Sequence, residues 1–244
     1  MPSFSARGAA FLLGSVALVS IAGLAALPPI IQDQHYHAFA DTRTLLGIAN
    51  FWNVVSNLPF VVVGAVGLAR YWRESTTAAL FFGIFLTGFG SSYYHLAPGD
   101  DTLFWDRLPM TIGFMALLAG ALGERFGKGV GDIALWPLLA LGVASLLWWR
   151  WTGDLRPYVW VQFYPCLVLP ILYWWFPVTT GAPILILAAA LYALSKALEY
   201  FDQAIYAVGG IVSGHTLKHL AAAAACYALL QYFRQRRPLA KASG

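Results

Sequence analysis

The sequence predicts an all-α membrane protein, and three observations carry that reading. Of its 244 residues 59% are hydrophobic and only 11% are charged, whereas a soluble domain carries roughly 25% charge. Mean hydropathy is +0.66. Charge is also absent from long runs, each near the 20 or so residues a helix needs to cross the hydrocarbon layer. A soluble core of this composition would lack the polar surface to cover itself.

The first apolar run, 8–27, stands behind Arg7. It exceeds the usual core of a signal peptide and reads as a retained first span, ended by Pro28-Pro29. A polar segment follows with Asp33, His35, His37, Asp41 and Arg43. The second span is expected at 51–71, with Asn53, Ser56 and Asn57 near its start. The third, 78–97, is stopped by Pro98-Gly99. The fourth starts at Asp106, has Pro109 in its first turn and ends before Glu124. Further spans are expected at 132–149, 158–176, 182–200 and 205–233, the last closed by Arg234, Arg236 and Arg237.

Eight spans place both termini on one side. Nine basic residues outside the spans (Arg7, Arg70, Arg73, Arg125, Lys128, Arg234, Arg236, Arg237, Lys241) then face that side, and four (Arg43, Arg107, Arg150, Arg156) face the other. The positive-inside rule makes both termini cytoplasmic. Trp148, Trp149, Trp151, Trp174 and Trp175 cluster at expected helix ends, as interface belts do. The net charge of +4 is accordingly assigned to topology and anionic lipid, not to nucleic acid. Cys166 and Cys226 lie in apolar segments and are expected to be buried thiols; they form no zinc cluster and fix no redox compartment.

His95 closes the third span, Asp106 opens the fourth, and His215 and His219 fall in the outer half of the last. All four sit at similar depth, just inside the non-cytoplasmic face. His215 and His219 are four apart, so a helix puts both on one face, a spacing that lets two imidazoles hold one ion. With His95 as a third ligand, the set describes a catalytic zinc site with an open position, where bound water is activated near neutral pH. The competing reading is that these histidines bridge helices by hydrogen bonds. The cost of ionisable groups inside a membrane weighs toward the metal.

Ser91 shares the helix face of His95. It is a candidate to stabilise an oxyanion or orient the water, or else it packs with Gly88 and Gly90 as a small residue. Asp106 is a general base or a partner of a ligand histidine, or a helix N-cap. Arg107 is expected to be an interface anchor or ion-pair partner. Lys196, Glu199 and Asp202 are expected to form a local charge set, and Lys218 to snorkel or meet a carboxylate. His35 and His37 read as solvated loop residues.

The run Asn50-Phe-Trp-Asn-Val-Val-Ser-Asn57, the pair Ser91-x-x-x-His95, Asp106 eleven residues on, and His215-x-x-x-His219 together resemble the alkaline ceramidase family. That family lies within the CREST superfamily of membrane hydrolases, which also includes adiponectin-receptor-like proteins. The resemblance covers about 50–233. It implies a seven-helix transmembrane bundle, here with one additional N-terminal transmembrane helix. The division is then 1–49 for that helix and a non-cytoplasmic loop, 50–233 for the ceramidase-like domain, and 234–244 for a basic cytoplasmic tail. It further implies Zn2+ held by His95, His215 and His219, with Ser91 and Asp106 completing a catalytic site. Asn50 stands where eukaryotic members carry a glutamate, and their acidic N-terminal motif is missing, which argues against calcium regulation.

The expectation is therefore a zinc-dependent hydrolase that cleaves the amide of a ceramide-like membrane lipid. Zinc would polarise the carbonyl and activate water, Asp106 would shuttle the proton, and Ser91 would steady the oxyanion. The alternatives are a receptor or sensor with a structural zinc site and no turnover, and a transporter, which should show flux in proteoliposomes. The paired broken helices expected of many transporters are not evident.

Overall fold

The computed structural model describes residues 6–176 and 179–237. The remainder of the basic tail, with Lys241, lies outside the described residues. The chain is all α-helix apart from connections: α1 Ala6–Ala25, α2 Phe51–Val55, α3 Leu58–Tyr71, α4 Ser75–Leu96, α5 Asp100–Phe126, α6 Lys128–Thr152, α7 Arg156–Trp175, α8 Ala182–Tyr200, α9 Asp202–Ala207 and α10 Gly214–Gln235, with a 3-10 turn at Gln34–His37.

Four stretches are long and apolar enough to cross a membrane: Gly8–Ala25, Phe51–Tyr71, Lys128–Thr152 and Ala182–Tyr200. That makes the chain a multi-pass membrane protein. The other long helices, α4, α5, α7 and α10, run 20 to 27 residues. Among them α4, α5 and α10 carry the buried serine, histidine, aspartate and arginine side chains. The molecule is polar inside and greasy outside: Asn53, Asn57 and His95 are fully buried, whereas Phe11, Ile133, Trp136 and Ile186 are exposed. Only a lipid solvent makes such an arrangement favourable, since lipid leaves buried polar groups to one another.

One core joins α3, α4, α5, α6 and α10 through Phe60, Phe81, Ile84, Ala119, Leu135 and Leu230. A second joins α5 and α7 through Met115, Val161 and Leu172, with Leu13 of α1 at its edge. The third cluster, Phe39, Tyr94, Leu103, Leu146, Trp149 and Tyr158, lies at the end of the bundle that carries the histidines. The first helix packs mainly on α7, with Tyr164 donating to the Leu13 carbonyl at 3.0 Å and Trp160 to Ser20 at 2.9 Å.

Three boundaries differ from the sequence reading. The fourth span starts at Asp100, not Asp106, because Asp100 and Asp101 fill a first turn that welcomes negative charge. Pro109 thus lies inside α5, where it cannot donate to the Trp105 carbonyl. That carbonyl faces Gly90 of α4, where a Cβ would collide with it. The last span is two helices. After α9 the chain turns through Gly209 and Gly210, the latter with φ +64°, and restarts at Ser213. The second is broken at Ser56-Asn57, just before Leu58-Pro59 begins α3.

Cys166 is exposed on the outer face of α7 and Cys226 is only half-buried, so neither is the buried thiol expected. An apolar environment reaches Cys166 from outside the protein instead. Trp149 leaves the expected interface belt: it is buried beneath the Arg107 guanidinium, 4.7 Å from its ring centre.

Candidate metal centre

The site is built on three helix ends. His95 is in the last turn of α4, Asp106 in the second turn of α5, and His215 and His219 in the first two turns of α10. The short Ala97-Pro98-Gly99 link returns the chain directly, so α4 and α5 form a hairpin that carries Ser91 and Asp106 on its seam. Ser91 lies beside Asp106, and both are buried. Asp106 lies inside α5, whose N-cap is Gly99, and so is no N-cap. Ser92 points elsewhere, to the Gly88 and Val54 carbonyls.

Two caps start α10 where it does. Ser213 Oγ accepts from the Thr216 amide at 3.1 Å, and Asp202 Oδ1 accepts from the His215 amide at 2.7 Å. Asn53 Oδ1 accepts from the Thr216 hydroxyl at 3.0 Å, and Ser56 Oγ meets His219 Nδ1 at 2.8 Å. The 51–57 stretch thus docks on the first turns of α10. Asn50, in a left-handed conformation at φ 48°, donates through Nδ2 to the His95 carbonyl at 2.8 Å.

His95, His215 and His219 are all buried, and their ligand atoms lie within 4.8 Å of one another, so the three could hold a metal ion. The Nε2 atoms of His95 and His219 stand 3.2 Å apart, and those of His215 and His95 3.4 Å. Nitrogens about 2.0–2.1 Å from a tetrahedral zinc are about 3.3 Å apart. Hydrogen bonding alone does not account for the cluster. One Nε2 offers either one proton or one lone pair along one direction, yet that of His95 faces both neighbours. A central cation would satisfy both contacts at once.

The polar segment 26–50 caps this end of the bundle, which the sequence did not reveal. Gln32 accepts from Arg107 Nη2 at 2.7 Å, Ile30 pairs with Asp154 and Leu155, and the Ala40 amide donates to Asp202 at 2.9 Å. His37 is not a free loop residue: its Nδ1 meets the Tyr94 hydroxyl at 2.9 Å and its Nε2 meets Asp100 at 3.0 Å. Phe39 lies directly on the histidines, its ring centre 4.7 Å from His95 and 4.5 Å from His215. An aromatic residue in a polar loop was the only signal in the sequence. Arg107 is neither an interface anchor nor ion-paired among the described residues. It is buried between Trp149 and Tyr158, each ring centre within 4.8 Å.

Beside the histidines, Glu199 takes both Lys218 and Lys196, the latter at 2.8 Å, and accepts from the Tyr36 hydroxyl at 2.8 Å. Lys218 thus has its carboxylate, while Asp202 is spent on amides and does not join the set. Burial, then the Glu199 charge, pushes the Tyr36 phenol well above its usual pKa, which keeps it a donor. In the cap, the Arg43 guanidinium holds the Asp41 carboxyl below the ordinary range, and Arg156 does the same to Asp154. A polar cleft of about 170 Å³, lined by His35, Tyr36, Phe39, Glu199, Gln203 and His215 among others, touches the histidine cluster at His215.

A family model described as Ceramidase matches residues 43–196. No curated protein matches the chain.

Proposed function

This chain belongs to the ceramidase family, and on that premise we propose that it is a zinc-dependent intramembrane hydrolase of a ceramide-like lipid amide. The observation that carries the proposal is the convergence of three buried imidazole nitrogens, with buried Asp106 and Ser91 on the neighbouring hairpin. His95, His215 and His219 would hold the ion. When bound, it supplies a Lewis acid that polarises a carbonyl and acidifies water toward neutrality. Three imidazoles with an open fourth position suit zinc.

The chain's own groups do the rest. Asp106 receives the proton of the attacking water and returns it to the leaving amine. Ser91, buried beside Asp106, aligns that carboxylate and donates to the oxyanion as it develops. Phe39 roofs the histidines and keeps bulk water from the reacting carbonyl. The cleft beside His215 gives water and the polar amine a route, while the acyl chain lies among apolar helices.

In the bilayer we place 50–233 as a seven-helix ceramidase-like unit, α2 and α3 forming one broken span and α9 and α10 the last. α1 is an added N-terminal span within 1–49, and 234–244 is a basic cytoplasmic tail. Both termini face the cytoplasm and the metal centre lies toward the opposite side, in keeping with the bias in Lys and Arg.

The test is metal content and turnover of the detergent-purified protein. About one zinc per chain should be lost in His215→Ala and His219→Ala while both stay folded. Asp106→Asn should keep the metal and lower amide cleavage about 10²- to 10⁴-fold. A metal-free, well-folded wild type would remove the mechanism. Bound metal with no turnover of any lipid amide would return the receptor or sensor alternative.

A further inference from the structure

We propose that Ser56 is a positioning residue of the metal centre, fixing His219 in the tautomer that presents a bare Nε2 to His95 and His215. The inference rests on the metal-site reading above and adds the group that orients it.

Ser56 Oγ has two partners: the Asn53 carbonyl at 3.3 Å and His219 Nδ1 at 2.8 Å. A carbonyl oxygen only accepts, so the two contacts are satisfied together only when the hydroxyl proton points to Asn53. In that arrangement Oγ accepts from His219, which places the ring proton on Nδ1. With Nδ1 protonated, neutral imidazole carries its lone pair on Nε2, the atom 3.2 Å from His95 Nε2.

The carbonyl that sets this polarity is itself immobilised. Asn53 is fully buried, its Oδ1 accepts from Thr216 and its Nδ2 donates to the Asp41 carbonyl at 3.2 Å. Asn57 Nδ2 donates to the Asn53 carbonyl itself at 2.8 Å.

The other two rings are held differently. His95 Nδ1 is buried with no hydrogen-bond partner among the described residues, so only packing orients that ring, chiefly against Phe39 and Tyr94. His215 has its backbone fixed by Asp202 and its ring against Phe39. Ser56 is thus the side chain that assigns a ligand tautomer by hydrogen bonding. Partners of this kind typically change metal affinity about 10- to 100-fold.

Wild type, Ser56→Ala and Ser56→Thr are compared with zinc itself as the probe, by competition against a chelator of known affinity. Two further readouts are the thermal midpoint of the zinc-free proteins and the ¹⁵N histidine spectrum. Ser56→Ala should bind zinc about 10- to 100-fold more weakly, with the zinc-free midpoint unchanged and the His219 Nδ1–H signature lost to tautomer exchange. Ser56→Thr, which keeps the hydroxyl, should restore affinity and signature. Alanine within twofold of wild-type affinity overturns the proposal. So does a drop in zinc-free stability that accounts for the weaker binding, or a folded threonine variant that fails to rescue. Wild type that binds no zinc sinks the metal-site reading itself, a different result from tight wild-type binding that Ser56→Ala leaves untouched.

Discussion

Replacing Gly83 with alanine probes whether the seam between α4 and α5 sets the geometry of the site. A Cβ at Gly83 would stand 2.6 Å from the Gly113 nitrogen and 2.9 Å from the Pro109 carbonyl oxygen. Ordinary contact needs about 3.4 Å or more, so the two helices must part by roughly 0.8 Å, since backbone atoms cannot swing aside as a side chain can. Overpacking of this kind costs about 1–3 kcal/mol. Ser91 and Asp106 lie along the same seam, and misplacing reacting groups by 1 Å can cost about 10²-fold in rate. Gly113 is the control, because a Cβ there meets nothing within 4 Å. Thermal midpoint, zinc content and amide turnover would be measured for Gly83→Ala and Gly113→Ala in the same detergent. Gly83→Ala should lose stability and, beyond that, turnover, while Gly113→Ala changes little in either. Wild-type turnover in a folded Gly83→Ala protein would show that the site tolerates an opened seam, and the geometric argument would fail.

Two other perturbations separate the cap from the charge network. Glu199→Gln leaves Lys196 and Lys218 without their carboxylate in a largely buried setting; breaking such a pair costs roughly 3–5 kcal/mol, read as a lower thermal midpoint at neutral pH. Asp154 has its carboxyl held below the ordinary value by Arg156. Its contribution is therefore fully present above the unfolded value of about 3.9 and is lost as pH falls through the lower folded value. Asp154→Asn should cost about 1–2 kcal/mol at pH 6 and almost nothing at the acid end. A midpoint difference between the two proteins that stays constant from pH 6 to pH 3 would refute that linkage.

The apolar runs fixed the helices because 20 residues without charge have few alternatives in a membrane, and six of the eight expected spans overlap one described helix each. The breaks were less visible. The Gly209-Gly210 pair lies within a run whose hydropathy stays high, and only the Ser213 and Asp202 caps make α10 begin one residue before His215. The fourth helix starts early because Asp100 and Asp101 look like loop charges until a helix N-terminus is set against them. Among site residues, the i, i+4 spacing of His215 and His219 was legible, since helix geometry is local. That His95 meets them was an inference from depth, which the fold brings to 3.2 and 3.4 Å. Tyr36 and Gln32 were not legible, and Phe39 showed only as an aromatic residue in a polar loop. They act through long-range contacts of a loop whose path no periodicity describes.

The placement of the histidines on helix ends carries its own electrostatics. A cation among the three Nε2 atoms would sit near the C-terminal end of α4, where unpaired carbonyls favour positive charge, and near the N-terminal end of α10, where the dipole opposes it. The chain answers the second effect locally. Asp202, buried and free of any cation among the described residues, accepts from the His215 amide and so puts a negative charge on the positive end of α10. Asp106 adds another on the neighbouring helix. Asn50 draws on the first effect only in part, because it takes the His95 carbonyl while others of that turn remain. The break between α9 and α10 is thus more than an irregular turn. It lets a carboxylate fold back onto the helix start that carries two of the three histidines, where an unbroken helix from 202 would have left the histidines' backbone amides engaged and Asp202 three turns away.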